Sequence, residues 1–394
     1  MGRSTETTKD IERVTLLTRP LILLTLTAFA ALFGFQLLLP VVPLYASGTG
    51  GGTSGAGLAT SVFMLSTVLS QMQMPRILNQ FSYRKVLAVG LLLLGLPVFF
   101  YGPLPAVTPI LAVTLVRGIG FGIATVVFAT LIVELAPPGR RGEALGLLGV
   151  AITLPTIFCN ALGLWLVERF GYEAVFLLGG MAPALGLGAV LGIPVTALSR
   201  QEGPGGNAGF IAGLGRGPLL RIFLLFSATT MAAGVIFTFL PLAAPSSGPF
   251  SAMSALLMVG VASTTSRWWS GRFSDRRDPR LLLTPGLLAA ALGMVALGFG
   301  GTIVIGGALL FGTGFGLLQN ATLILTMKRV SEAEHGLGST LWNVAFDAGT
   351  GLGAFFFGFV ITATGFSWAF YVCAGMVAAA LVLVALDHNA PAKS

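Results

Sequence analysis

Runs of about 20 mostly apolar residues follow one another along this chain, separated by short breaks rich in turn formers. Each is long enough to cross a bilayer as a helix. Twelve such runs are read, at 20–46, 55–75, 85–103, 107–136, 142–167, 172–198, 219–244, 250–270, 280–299, 302–327, 336–362 and 366–387. "SGTGGGTSGAG", "YGPLPAVTP", "APPGRRGE" and "PSSGPF" are among the breaks. Only 9% of the 394 residues are charged. A water-soluble surface needs about 25%, so these helices are expected to face lipid. The fold class is therefore all-α and integral to the membrane. The first run begins after a polar segment and is too long for a cleaved leader, so it reads as a retained helix.

Basic residues set the expected orientation. With the N-terminus in the cytoplasm, that side receives Arg3, Lys9, Arg13 and Arg19, then Arg76, Arg84 and Lys85, then Arg140 and Arg141. It also receives Arg200, Arg216 and Arg221, the group Arg267, Arg272, Arg276, Arg277 and Arg280, the pair Lys328 and Arg329, and Lys393. Of the 22 basic residues, only Arg169 falls outside and Arg117 within the membrane. Both termini are thus expected in the cytoplasm. The net charge of +8 follows from topology and needs no nucleic-acid partner.

The chain also repeats itself. "GYEAVF" at 171–176 returns as "GFSWAF" at 365–370, an offset of 194. "PRILNQFSYRKVL" at 75–87 is matched by "GRFSDRRDPRLLL" at 271–283, an offset of 196. The expected organisation is a tail (1–19), a six-helix bundle (20–198), a polar glycine-rich linker (199–218), a second bundle (219–387) and a tail (388–394). Six spans per half keep the halves parallel, with a pseudo-two-fold axis along the membrane normal and a site between them.

These features resemble the major facilitator superfamily over the whole chain. "GRFSDRRDPR" is similar to its loop motif G-x-x-x-D-R-x-G-R-R, apart from Pro279. The resemblance implies that Gly271 admits a neighbouring helix, that Asp275 caps or pairs with a helix end, and that Arg276 holds the loop at the cytoplasmic face. The first-half copy has Pro75, Asn79 and Gln80 at the glycine, aspartate and arginine, with Arg84 and Lys85 following. The resemblance then implies a weakened latch and a bias toward the inward-open state. "LLLPVVPLYA", with Pro40 and Pro43, and "LVRGIGFG" resemble motifs of the twelve-span drug:proton antiporter branch, although Arg117 stands nearer the glycines than usual. "GLLGVAITLPTIFCNALG" keeps Gly146 and Gly163 of that branch's fifth-helix motif but has Cys159-Asn160 where Gly-Pro is usual.

Asp347 is the carboxylate nearest mid-membrane. Thr340, Asn343, Asp347 and Thr350 are spaced three, four and three, which puts them on one helix face. Such a face should meet a cavity or a partner helix. Asp347 reads either as a proton carrier or as a fixed group bonded to Asn343 or nearby backbone. Arg117 has several open roles: binding an anion, competing with a proton, pairing with Asp347, or a static interhelical bond. Gln36, Asn160, Gln319, Asn320 and Trp342 are further candidates for the cavity, with Phe121, Phe237 and Phe315 as an apolar wall.

No lysine ends a glycine-rich phosphate loop, and no cluster of His, Cys or acids has catalytic or metal-ligand spacing. The expected protein is not an enzyme and has no cofactor. The reading is a monomeric secondary transporter in a bacterial inner membrane, coupled to protons, exporting a small amphipathic or apolar organic compound. The alternative is an importer or uniporter of a small metabolite.

Overall fold

Proline and glycine punctuate the helices. The computed structural model describes residues 18–136, 140–192, 212–245, 248–331 and 334–388; both expected tails and most of the linker lie largely outside these. α1 (Arg19–Leu38) has Pro20 in its first turn, where the missing N–H is harmless, and gives way at Pro40 to the short α2 (Val41–Ala46). Gly50 and Gly52, at φ 94° and 55°, then turn the chain into α3 (Gly52–Gln80). α4 (Tyr83–Gly95) tightens into a 3₁₀ turn at Leu96–Phe100, which contains Pro97. α5 spans Val107–Leu135.

α6 runs from Arg141 to Leu191 with a single break at Gly171, φ 80° and ψ 175°. Only glycine adopts that conformation at low cost, so one residue separates the fifth and sixth expected spans. The second half holds α7 (Gly217–Ala243), α8 (Ala252–Ser274), α9 (Leu283–Phe299), α10 (Val304–Lys328), α11 (His335–Thr364), α12 (Phe366–Ala379) and α13 (Leu381–His388).

Nine helical stretches among the described residues are long and apolar enough to cross a membrane. Two of them, Arg19–Gln80 and Gly146–Val190, are 62 and 45 residues long and contain the glycine breaks just described. α8 is 23 residues long but more polar. α8 also corrects an assignment: Arg267, expected in a cytoplasmic loop, lies inside a helix.

The repeat is physical as well as textual. Gly118 and Gly122 of α5 face α3, where an added Cβ would collide with Ser66 Oγ and the Phe63 carbonyl, or with Ser70 Oγ and the Thr67 carbonyl. Gly120 between them meets the Leu94 amide and the Gly90 carbonyl of α4. α10 does the same at an offset of 194 with Gly312, Gly314 and Gly316. These three meet Val259 and Ala262, Gly286 and Ala290, and Ser263 and Ser266, each partner offset by 196. Alternate glycines therefore let one helix pack closely against two neighbours in both halves.

Two seams join the halves, α3 with α11 and α6 with α8, and they are related by the same offsets. On the first, Gly351 abuts Met64; on the second, Gly260 abuts Ile157. Several hydrogen bonds cross the first seam. Thr53 and Ser54 meet the Thr362 hydroxyl, Ser61 donates to the Gly351 carbonyl, and further along α3 Gln71 reaches α11. Thr60 pairs with Thr238 of α7.

At the end that carries the basic loops, Asp387 of α13 is buried and gathers three arginines. Arg329 Nη2 donates to its Oδ2 at 2.5 Å, with Arg221 Nε 3.4 Å and Arg280 Nε 3.9 Å away. Glu334, just before α11, pairs with Arg216. Arg216, together with the Ser331 amide and hydroxyl, holds the Glu334 carboxyl down at about 2, from an ordinary 4.5.

Candidate functional site

Asp347 lies near the middle of α11, with 6% of its surface exposed. Its Oδ2 accepts a hydrogen bond of 3.0 Å from Gln71 Nε2 of α3. Gln71 Nε2 also lies 3.4 Å from Thr125 Oγ1 of α5. A buried carboxylate is thus held across the seam between the halves by a neutral amide, with no cation among its described partners. Taking a charge out of water without a counter-ion is costly.

The expected stripe on α11 divides. Asp347 and Thr350 are buried, whereas Thr340 and Asn343 are exposed. Asn343 Nδ2 donates to the Ser339 carbonyl of its own helix at 2.9 Å. Asn343 therefore does not hold Asp347, and the fixed-group reading loses that partner.

Arg117 does not pair with Asp347 either. Its Nη1 donates to Tyr101 Oη at 3.0 Å and its Nε to the Leu94 carbonyl at 3.3 Å. Tyr101 Oη also bonds to Thr114 Oγ1 at 2.9 Å. The depths explain the separation. α5 and α11 run in opposite directions relative to the basic end, and at 1.5 Å per residue the two residues fall on opposite sides of their helix centres, ~10 Å apart along the axis. Arg117 is 2% exposed, its guanidinium 5.4 Å from the Phe63 ring centre.

The other candidates form separate groups. Gln36 Nε2 of α1 donates to Thr156 Oγ1 of α6 at 2.9 Å, and Asn160 Nδ2 lies 3.4 Å from Gln36 Oε1. Gln319 Oε1 of α10 accepts from Arg267 Nη1 of α8 at 3.5 Å. By offset, this pair is the counterpart of Thr125 with Gln71. Trp342 Nε1 donates to Thr322 Oγ1 at 3.1 Å and stacks on Phe226. Asn320 Nδ2 is buried with no hydrogen-bond partner among the described residues. The three phenylalanines do not form one wall: Phe121 stacks on Phe35, and Phe315 packs between Phe311 and Phe346.

The loop motif differs in detail from its expected roles. Gly271 is not a close-approach glycine, because an added Cβ would lie 3.5 Å from Asn320 Nδ2, an ordinary contact. Asp275 is exposed at the end of α8, and the carboxylate that caps a helical turn is Asp278, which accepts from the Arg280 amide at 2.9 Å. Arg276 is exposed beside it. In the first half, Asn79 is exposed near the end of α3, and Arg84 is half-buried at the start of α4.

Gln71, Tyr101 and Arg267 were not among the expected site residues. The offset of 196 linking Gln71 to Arg267 was available in the sequence, since both are polar positions inside otherwise apolar repeats.

Residues 24–354 match the family described as Major Facilitator Superfamily. The inner membrane transport protein YdhP of Escherichia coli is 25% identical over 370 residues, 89% of this chain and 90% of that protein. An uncharacterised MFS-type transporter of Methanocaldococcus jannaschii is 24% identical over 151 residues, which span 38% of this chain and 39% of that one. Among solved structures, the xylose transporter XylE of E. coli in a partially occluded inward-open conformation superposes with a TM-score of 0.75 at 15% identity, covering 96% of this chain and all of that one. The nucleoside transporter NupG gives 0.75 at 15% identity, covering 93% and 99%.

Proposed function

The chain belongs to the Major Facilitator Superfamily and is a multi-pass membrane transporter rather than an enzyme, and on that premise we propose that it exports a small amphipathic organic compound in exchange for protons. The observation that carries this reading is the bond from Gln71 to Asp347 across the seam between α3 and α11. Alternating access rocks one half against the other around a central site. A carboxylate on the seam then meets water from one side and from the other in turn. That alternation lets one group take up a proton on one face and release it on the opposite face.

In this reading both termini are cytoplasmic, the membrane is the bacterial inner membrane, twelve spans form two six-helix bundles, and a monomer is the working unit. Asp347 carries the proton and Gln71 orients it. Arg117, Gln36, Asn160, Gln319, Asn320, Trp342 and Asn343 line the substrate route. Gly271, Asp275, Arg276, Asn79 and Arg84 belong to the loops that separate and rejoin as the halves rock. The exchange of aspartate for Asn79 and of arginine for Gln80 weakens the latch at the basic end and favours the inward-open state. The resemblance of Pro40 and Pro43 to the first-helix motif of the drug:proton antiporter branch supports the outward direction.

The test is growth protection. Wild type and Asp347→Asn are expressed at equal membrane abundance in a bacterium stripped of its own efflux pumps and challenged with toxic amphipathic compounds. Protection by wild type alone supports the reading. Absence of protection by either protein across the panel removes broad export.

A further inference from the structure

α8 turns one exposed face away from the two helices it packs against most closely, α10 and α6. At 3.6 residues per turn, Val261, Thr265, Trp268 and Arg272 fall within about 60° of one another, and all of them are exposed. Val259, Ala262, Ser263 and Ser266 meet α10, and Gly260 meets α6. The exposed stripe is turned about 140° from the first set and about 110° from Gly260. In a membrane protein that face meets lipid. Thr265 returns its hydroxyl to the Val261 carbonyl at 2.8 Å, so the stripe offers no free polar group until it reaches Trp268.

Trp268 is 59% exposed, and the Arg272 guanidinium lies 4.0 Å from its ring centre. A guanidinium stacked on an indole face keeps its N–H edge free. Arg272 has no ion pair among the described residues, and neither do Arg276 and Arg277, which follow it at the end that carries the basic loops. Asp278 is engaged by the Arg280 amide, and Asp275 pairs with none of the three arginines. The face is therefore cationic and without a protein partner. The repeat does not require it. At an offset of 196, α3 has Met72 and Arg76 in place of Trp268 and Arg272. Arg76 there donates to Gln73 at 3.3 Å and stacks on no ring.

We propose that this face of α8 binds an anionic phospholipid, its phosphate on the Arg272 guanidinium, its glycerol region against Trp268 and an acyl chain along Thr265 and Val261. The lengths agree. Val261 to Arg272 is ~16 Å of helix, about half of the ~30 Å hydrocarbon core, which is the depth of one leaflet. Indole rings favour the headgroup level, and a planar guanidinium matches two phosphate oxygens. Charge complementarity selects a lipid with net negative charge, because no carboxylate neutralises Arg272 from the protein side. α8 also forms one of the two seams between the halves, so the lipid lies beside that joint. The inference is independent of the transported substrate and of the direction of transport.

The experiment uses the full chain, purified in a neutral detergent and mixed with equal amounts of phosphatidylglycerol and phosphatidylcholine bearing the same acyl chains. Native mass spectrometry identifies the lipid that the protein retains. Wild type should retain phosphatidylglycerol with about fivefold preference, the scale of one arginine at an anionic membrane surface. Arg272→Gln should lose that preference, and Arg272→Lys should keep part of it. Arg76→Gln, the repeat counterpart, should keep all of it. Arg272 and Arg76 are both exposed, and equal unfolding midpoints in phosphatidylcholine certify that the variants are folded. Equal retention of the two lipids by wild type overturns the proposal, as does an unchanged preference in Arg272→Gln. An equal loss in Arg76→Gln also overturns it, because the preference then reflects overall charge and no local site. Displacement of the lipid by millimolar inorganic phosphate overturns it in favour of a free-anion site.

Discussion

Gln71 and Asp347, 276 positions apart, meet at 3.0 Å across the seam between the two halves. The amide is the carboxylate's one described side-chain donor, and Thr125 sits behind it. Hydrogen bonds to charged groups contribute about 1.5–3 kcal/mol. If Gln71 orients the group that couples transport, Gln71→Leu should lower the initial transport rate by about tenfold or more, on the scale of 1.4 kcal/mol per decade. Vesicle transport at equal protein abundance checks this; an unchanged rate would make Gln71 a bystander.

The glycines of α5 and α8 should differ sharply. An added methyl at Gly118 collides with Ser66 and with the backbone of Phe63, whereas at Gly271 it meets Asn320 at an ordinary distance. Overpacking a tight contact costs about 1–3 kcal/mol. Gly118→Ala should lower the unfolding midpoint clearly and Gly271→Ala hardly at all, although Gly271 is the motif residue. Thermal unfolding of the two purified variants decides the matter.

Asp387 should matter for stability. Removing it leaves Arg221, Arg280 and Arg329 facing one another without their shared acid. Breaking a buried pair costs about 3–5 kcal/mol, and the partial exposure of the arginines lowers that figure through solvent screening. Asp387→Asn should therefore destabilise the protein by on the order of 2 kcal/mol, with the loss reduced in high salt. A midpoint equal to wild type at low salt would contradict this.

The Glu334–Arg216 pair has a defined pH window. The folded carboxyl is held at about 2, below its ordinary 4.5. Its contribution is fully present above pH 4.5 and is lost as pH falls through about 2. Glu334→Gln should remove that part of the acid sensitivity and lower stability slightly near pH 7, where the pair's contribution is present but screened by solvent, so that the two proteins converge as pH falls toward 2. Unfolding midpoints of both proteins between pH 2 and 7 provide the check.

Most of the architecture was legible because membrane helices advertise themselves. Apolar length located the spans, and the offsets of 194 and 196 exposed the repeat before any contact was known. Gly171 shows the limit: a single residue with positive φ separates two spans, so hydropathy cannot mark the boundary sharply. α8 was read as 250–270, ending four residues early, and Arg267 was counted with the cytoplasmic basic residues although it stands inside that span. The site was legible in part. Asp347 and Arg117 stand out as charges in hydrocarbon, but their partners do not. Gln71 is distant in sequence from Asp347 and neutral, and only packing brings it there. Helical spacing put Asn343 and Asp347 on one face, but it does not fix how far along that face burial extends: Asp347 is buried and Asn343 is exposed.

The most direct test of proton-coupled export uses inside-out membrane vesicles containing wild type or Asp347→Asn, with an imposed inside-acidic pH gradient. Accumulation of a fluorescent amphipathic substrate found in the growth panel is followed as the gradient is applied and collapsed. The account predicts gradient-dependent accumulation by wild type, reversed on collapse, and at least a tenfold lower rate for Asp347→Asn. Equal accumulation by the two proteins under the same gradient would contradict the assignment of coupling to Asp347.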